Sequence, residues 1–114
     1  MKIIVQDLSK KFNAFVAVNN INFSIKENET LGLLGPNGCG KTTTIGMMLG
    51  LIKPDNGKVL INNLDINTKA RNDLLSKMNF ASPYIELPKK LTVYQNLEIY
   101  GRLYGVKNLR IRIN

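Results

Sequence analysis

Apolar and polar positions alternate near the start of the chain. Over 20–26, Ile21, Phe23 and Ile25 share one face, and Asn22, Ser24 and Lys26 share the other. That period of two predicts a half-buried strand in an antiparallel pair. Residues 2–7 (KIIVQD) suit a short strand before it. Beyond a polar turn at 27–29, the run TLGLL (30–34) is apolar without alternation and predicts a strand buried on both faces. The period then lengthens. Ile45, Met48, Leu49 and Ile52 recur at helical spacing, so 41–51 reads as a helix that Pro54 stops.

Turn chemistry fills 53–57 (KPDNG). Residues 58–61 and 64–66 read as two strands joined by Asn62-Asn63, since asparagine tolerates the left-handed backbone of a two-residue hairpin. A short helix is expected over 69–77 and a short strand over 78–81. Thr92 and Gln95 have the spacing of a capping box and open a helix. Val93, Leu97, Tyr100 and Tyr104 line one of its faces, and Gly105 suits the position just past its end. The tail, KNLRIRIN, is apolar and basic. No repeat and no linker is visible.

Composition narrows the classes. A chain of 114 residues is one domain at most, with 44% hydrophobic and 21% charged residues, as in a globular protein. The net charge of +8 is uneven. Residues 1–68 hold seven Lys/Arg against five Asp/Glu, and residues 69–114 hold nine against three. No compact basic cluster interleaved with aromatics occurs, so no nucleic-acid partner is expected. One cysteine and no histidine argue against a disulfide framework and a zinc site. The apolar run 45–52 is too short to span a bilayer, and the opening MKIIVQD is no signal peptide, so a cytoplasmic location is expected.

Candidate chemistry lies in GPNGCGKTT, residues 35–43. Gly35, Gly40, Lys41 and Thr42 satisfy G-x-x-x-x-G-K-[ST], the phosphate-binding P-loop pattern. Chance produces that pattern in a chain of this length on the order of a few times per thousand. Its placement after an apolar run and before a helix is the required context. Phosphate oxygens need many donors close together. Gly35, Gly38 and Gly40, spaced by Pro36, Asn37 and Cys39, let backbone N–H groups turn inward as a nest. The helix behind points its positive end at the anion. Lys41 adds a full charge for the β- and γ-phosphates, and Thr42 can set its hydroxyl on Mg²⁺. Cys39 is either a small filler or a thiol made reactive by the helix end.

From LSKKFNAFVAV through LINNLDI, and again at LTVYQNLEIYGRLYGV, the chain resembles the ATP-binding subunits of ABC transporters, in wording most like those of exporters. The resemblance implies an α/β fold: a P-loop NTPase core with a partial parallel sheet and helices, preceded by an antiparallel β-subdomain. Three regions follow from it: 1–29, antiparallel with an adenine-stacking aromatic; 30–66, the core and hairpin; 67–114, a degenerate glutamine-loop region and the start of a helical subdomain. It also implies ATP and Mg²⁺ as ligands, with Phe12 stacked on adenine (Phe15 the less favoured ring) and Thr43 toward the α-phosphate. Its expected partners are a membrane permease and a second ATP-binding subunit, which would hold the chain at the inner face of the membrane.

Some of the family's parts do not appear. Where relatives place a glutamine that touches Mg²⁺, alignment puts Pro83 beside Ser82. No signature motif, no strand ending in Asp-Glu and no switch histidine occurs in these residues. This predicts ATP binding without turnover, in a fragment of a longer ATPase or a regulatory module. It also leaves 30–34 without strand neighbours and predicts marginal stability. Another P-loop enzyme, such as a kinase or a GTPase, is the alternative. For a GTPase the guanine motif fails at Asn67-Thr68-Lys69-Ala70, and no D-x-x-G follows.

Overall fold

A computed structural model describes residues 1–82 and 86–114. These fall into two compact units, 1–75 and 76–114, described in turn.

The first unit is built on an antiparallel sheet with strand order β2-β1-β3-β4. Its strands are β1 (Ile3–Phe12), β2 (Phe15–Ile25), β3 (Asn56–Ile61) and β4 (Leu64–Asp65). The expected strand at 2–7 runs on to Phe12, because a bulge at Asp7 lets it change face. Strict alternation from Val5 would turn Asp7 inward. Instead Asp7 adopts a left-handed backbone (φ 47°), the register slips, and Leu8 is the next buried residue. Asn20 (φ 47°) makes the same correction on β2, between buried Val18 and half-buried Ile21. Polar partners hold both bulges. The Asp7 N–H donates to Asn22 Oδ1 (2.9 Å), Asn22 Nδ2 returns a bond to Asp7 Oδ1 (3.1 Å), and the Asn20 N–H donates to Ser9 Oγ (2.8 Å).

The two-residue hairpin is as expected. Asn62 (φ 50°) and Asn63 (φ 65°) join β3 to β4 with the left-handed pair that such a turn demands. Helix α1 (Lys41–Met48) is shorter than the predicted 41–51. It ends at Gly50 (φ 69°), four residues before Pro54. The Leu51 N–H reaches Gly46 O (2.9 Å) and the Gly50 N–H reaches Met47 O (3.1 Å), a Schellman end. Helix α2 (Arg71–Leu75) is one short turn inside the predicted 69–77. The core gathers Val5, Leu8, Val18, Val59 and Ile61 from the sheet, Ile66 from the turn that follows β4, and Met47 and Leu74 from α1 and α2.

The segment 30–34 departs most from its prediction. It joins no ladder, and Leu34 is 94% exposed, with Leu31 and Leu33 also outside the core. A strand buried on both faces needs a neighbour on each side, and no described strand lies beside this one. The parallel part of the sheet therefore has no paired strand among the described residues.

The second unit holds α3 (Val93–Leu103) and α4 (Leu109–Ile113). The capping box is present in both directions: the Gln95 N–H donates to Thr92 Oγ1 (3.1 Å) and the Thr92 N–H donates to Gln95 Oε1 (2.9 Å). Gly105 (φ 67°) closes α3 as foreseen. Residues 78–81 form no strand.

Candidate nucleotide site

Helix α1 starts without the side-chain cap that usually satisfies a helix N-terminus. Its N-cap is Gly40, which offers no side-chain oxygen, and its first turn has no acidic residue. Gly40 is required there twice over. Its φ is 98°, and a Cβ would strike the carbonyl oxygen of Ala17 on β2. That close approach seats the loop against the sheet. The first N–H with an acceptor is that of Thr44, bonded to Gly40 O (2.9 Å), while Thr44 Oγ1 donates to the same carbonyl (2.8 Å). The amides of Lys41, Thr42 and Thr43 precede the helix's own hydrogen bonds and face outward from its positive end.

Before the helix, the Cys39 N–H bonds Pro36 O (3.3 Å) across Asn37 and Gly38. Gly38 is at φ 83°, so this is a type II turn. Lys41 Nζ donates to Gly35 O and arches over the loop. The residues foreseen as a binding loop thus divide into two sets. Asn37, Gly38, Gly40, Lys41, Thr42 and Thr43 border a cleft of about 200 Å³. Gly35, Pro36 and Cys39 shape the loop from outside it. Cys39 Sγ fills the space that a Cβ on Gly35 would need, 2.5 Å away, which supports the small-filler reading of this residue.

The far wall of the cleft is β2, through Phe15 and Ala17. Phe12, the favoured aromatic, does not border it. It lies on β1, one strand further from α1, as the cross-strand partner of Phe15. The Lys10 ammonium sits over the Phe12 ring, 5.4 Å from its centroid. Both rings are about half exposed at the tip of one hairpin. Ala17 escaped the sequence reading because its contribution is a backbone carbonyl and a small side chain, which no motif marks.

At about 200 Å³ the cleft is smaller than typical whole-ligand pockets of roughly 300–1,000 Å³. It suits phosphates rather than a complete nucleotide. Its donor set is amide N–H groups plus one ammonium, with no carboxylate on its lining, which matches a polyanion. For a divalent cation the lining offers only neutral side-chain oxygens, the hydroxyls of Thr42 and Thr43 and the amide oxygen of Asn37. No cluster of three His, Cys, Asp or Glu occurs among the described residues. This fits Mg²⁺ carried in by phosphates, which needs few protein ligands, and does not fit a resident metal. Pro83 lies outside the described residues. The Gln95 side chain is committed to its helix cap.

The family model for the ABC transporter matches residues 18–113. The probable multidrug ABC transporter ATP-binding protein YbhF of Escherichia coli is 40% identical over 105 residues, covering 90% of this chain and 18% of that protein. The sulfate/thiosulfate import ATP-binding protein CysA of Pseudomonas syringae is 38% identical over 97 residues, covering 85% and 29%. A solved ATP-binding subunit of an ABC transporter superposes with a TM-score of 0.82 at 26% identity, covering 95% of this chain and 45% of that one. The chain thus spans less than half the length of each.

Proposed function

The chain belongs to the ABC transporter family as part of an ATP-binding domain, and on that premise we propose that residues 35–43 bind the triphosphate of ATP with its Mg²⁺. The observation that carries this reading is the uncapped start of α1, seated on Ala17, with Lys41 beside it. Amides of the loop and first turn would take the phosphate oxygens. Lys41 would leave Gly35 O to neutralise the β- and γ-phosphates, and Thr42 would offer its hydroxyl to the cation. Mg²⁺ would neutralise charge on the same phosphates. The base would lie at the edge of the cleft, on the ring pair Phe12 and Phe15 at the hairpin tip.

Binding without turnover is the activity proposed for these residues alone. The cleft presents an ammonium and hydroxyls, and no carboxylate or imidazole to orient an attacking water. In the whole protein the domain would couple ATP hydrolysis to transport through a permease and a second ATP-binding subunit, held by the permease at the inner face of the membrane. No helix among the described residues is long and apolar enough to cross a membrane. Export is the proposed direction. The Nod factor export ATP-binding protein I of Bradyrhizobium diazoefficiens, 36% identical, matches 93% of the chain, against 85% for the sulfate importer.

Titration of the chain with MgATP tests the site. Lys41→Ala is expected to weaken binding at least about tenfold, since a hydrogen bond to a charged group contributes roughly 1.5–3 kcal/mol. Phe12→Ala and Phe15→Ala apportion the base platform, where stacking contributes about 1–3 kcal/mol. An unchanged affinity in Lys41→Ala would remove the phosphate assignment. Unchanged affinity in both phenylalanine variants would move the base elsewhere.

A further inference from the structure

Asparagine is followed by glycine at Asn37-Gly38 and at Asn56-Gly57, and the two steps are held differently. We propose that Asn37 is a site of spontaneous deamidation, whose product places a carboxylate in the phosphate loop and disables it. The disabling rests on the nucleotide reading above. The chemistry at Asn37 does not.

In this reaction the backbone nitrogen after the asparagine loses its proton to hydroxide and attacks the side-chain Cγ. The new C–N bond closes a five-membered succinimide, and the side-chain nitrogen takes up a proton and leaves as ammonia. Water then opens the ring at either carbonyl, giving aspartate or isoaspartate. The amide and one water become a carboxylate and ammonium, with no oxidant, reductant or enzyme. The step is fast where the next residue has no side chain and the backbone can rotate to bring nitrogen to Cγ. Both sites meet the first condition.

Only Asn37 meets the second. It and Gly38 are the exposed central residues of a turn closed by one long bond, from the Cys39 N–H to Pro36 O at 3.3 Å. The Asn37 side chain and the Gly38 N–H make no hydrogen bond among the described residues. A Cβ on Gly38 would meet nothing within 4 Å. Asn56 is equally exposed but is laddered opposite Ser9 on β1. The residue before it is fastened there too, by Asp55 N–H to Ser9 O at 3.0 Å. A Cβ on Gly57 would strike the carbonyl oxygens of Gln6 and Asp7. Rotation at Asn56 therefore requires the sheet to open, and rotation at Asn37 requires only the turn to open.

Asn37 borders the cleft with Gly38. A carboxylate there would repel a polyphosphate, and an isoaspartate would add a methylene to the main chain and displace the amides around it. Bound MgATP would draw the population away from open turns and slow the reaction.

The test ages the full chain in mildly alkaline buffer, with and without MgATP, and follows peptides 27–41 and 42–58 by tandem mass spectrometry. Amide loss at Asn37 is expected to run at least about tenfold faster than at Asn56, with MgATP slowing Asn37 alone. Equal rates, or earlier loss at Asn56, overturn the proposal. MgATP affinity should fall in step with modification, while Asn37→Gln keeps through ageing whatever affinity it starts with. A modified chain that binds as well as fresh chain overturns the disabling effect. Should fresh chain fail to bind MgATP, the nucleotide reading falls, and the Asn37–Asn56 rates still decide the site.

Discussion

In residues 1–75, Val5 and Leu8 of β1, Val59 and Ile61 of β3 and Met47 of α1 are shut away from water. In residues 76–114 the only buried side chain among those described is Asn96, while Leu87, Val93, Leu97 and Ile111 stay exposed. The first unit is held by contacts distant in sequence, strand against strand and helix against sheet. The second is held mostly by neighbours, with one longer tie in which Tyr104 OH donates to Asn79 Oδ1 (3.3 Å). Its capping box closes over three residues, Arg102 pairs with Glu98 one turn away (2.8 Å), and Asn96 Nδ2 donates to the nearby carbonyls of Pro88, Leu91 and Thr92. The difference teaches where cooperativity resides. A helix of eleven residues is marginal alone, so the site-bearing unit carries the folding stability and the helical unit carries little.

Core truncation is the strongest challenge to this contrast. Leu8 is fully buried beside the bulge, and Leu8→Ala is expected to destabilise by about 2–5 kcal/mol through lost transfer energy and a residual cavity. Leu97, half exposed on α3, is expected to cost within about 0.5 kcal/mol as alanine. Denaturant midpoints measure both. Equal shifts would mean that the second unit has a core after all.

Less drastic is removal of a cap. Thr92→Ala deletes the hydroxyl that accepts from the Gln95 N–H and leaves the return bond, from the main-chain N–H of position 92 to Gln95 Oε1, in place. A loss of about 1 kcal/mol is typical for such a change. Hydrogen exchange should show it as faster exchange of the α3 amides, with the β1 and β3 amides unmoved. A matching change in β1 would show the two units opening together.

The same contrast explains what was legible in the sequence. Devices closed within a few residues could be read directly: the capping box at Thr92, the end of α3 at Gly105, the Asn62-Asn63 hairpin, the loop from Gly35 to Thr43. Each is a local arrangement of donors and φ angles. What depends on distant partners could not be read. The strand expected at 30–34 failed because an apolar run says nothing of whether neighbours are present. Extension of β1 through Asp7 was hidden because its bulge is stabilised by Asn22, fifteen residues away. The choice between Phe12 and Phe15 at the cleft turns on strand order, which the spacing of two phenylalanines does not encode. Helix α1 is shorter than its apolar spacing predicts because Gly50 ends it through backbone bonds, ahead of the more conspicuous stop at Pro54.

The gentlest probe concerns the tie that fastens the start of β3 to β1. The Asp55 carboxylate accepts from the Lys11 N–H at 2.7 Å and from Lys10 Nζ at 3.3 Å. The Lys11 backbone bond, with the Lys10 charge behind it, holds the Asp55 carboxyl below its ordinary value of 3.8. A carboxyl whose folded-state pKa is depressed favours the folded chain while ionised. The contribution is fully present above the ordinary carboxylate range and is lost as pH falls through the lowered value. Solvent screens this exposed group, so its effect should be smaller than that of the Thr92 cap. Asp55→Asn should therefore destabilise slightly at neutral pH, and its difference from the parent chain should vanish in acid, as followed by thermal midpoints across a pH series. Persistence of the difference below that range would show that the hydrogen bond from the Lys11 N–H, rather than the charge, sets the contribution of Asp55. The tie also helps to hold Asn56 in its ladder, so Asp55→Asn should raise amide loss at Asn56 and leave Asn37 unchanged.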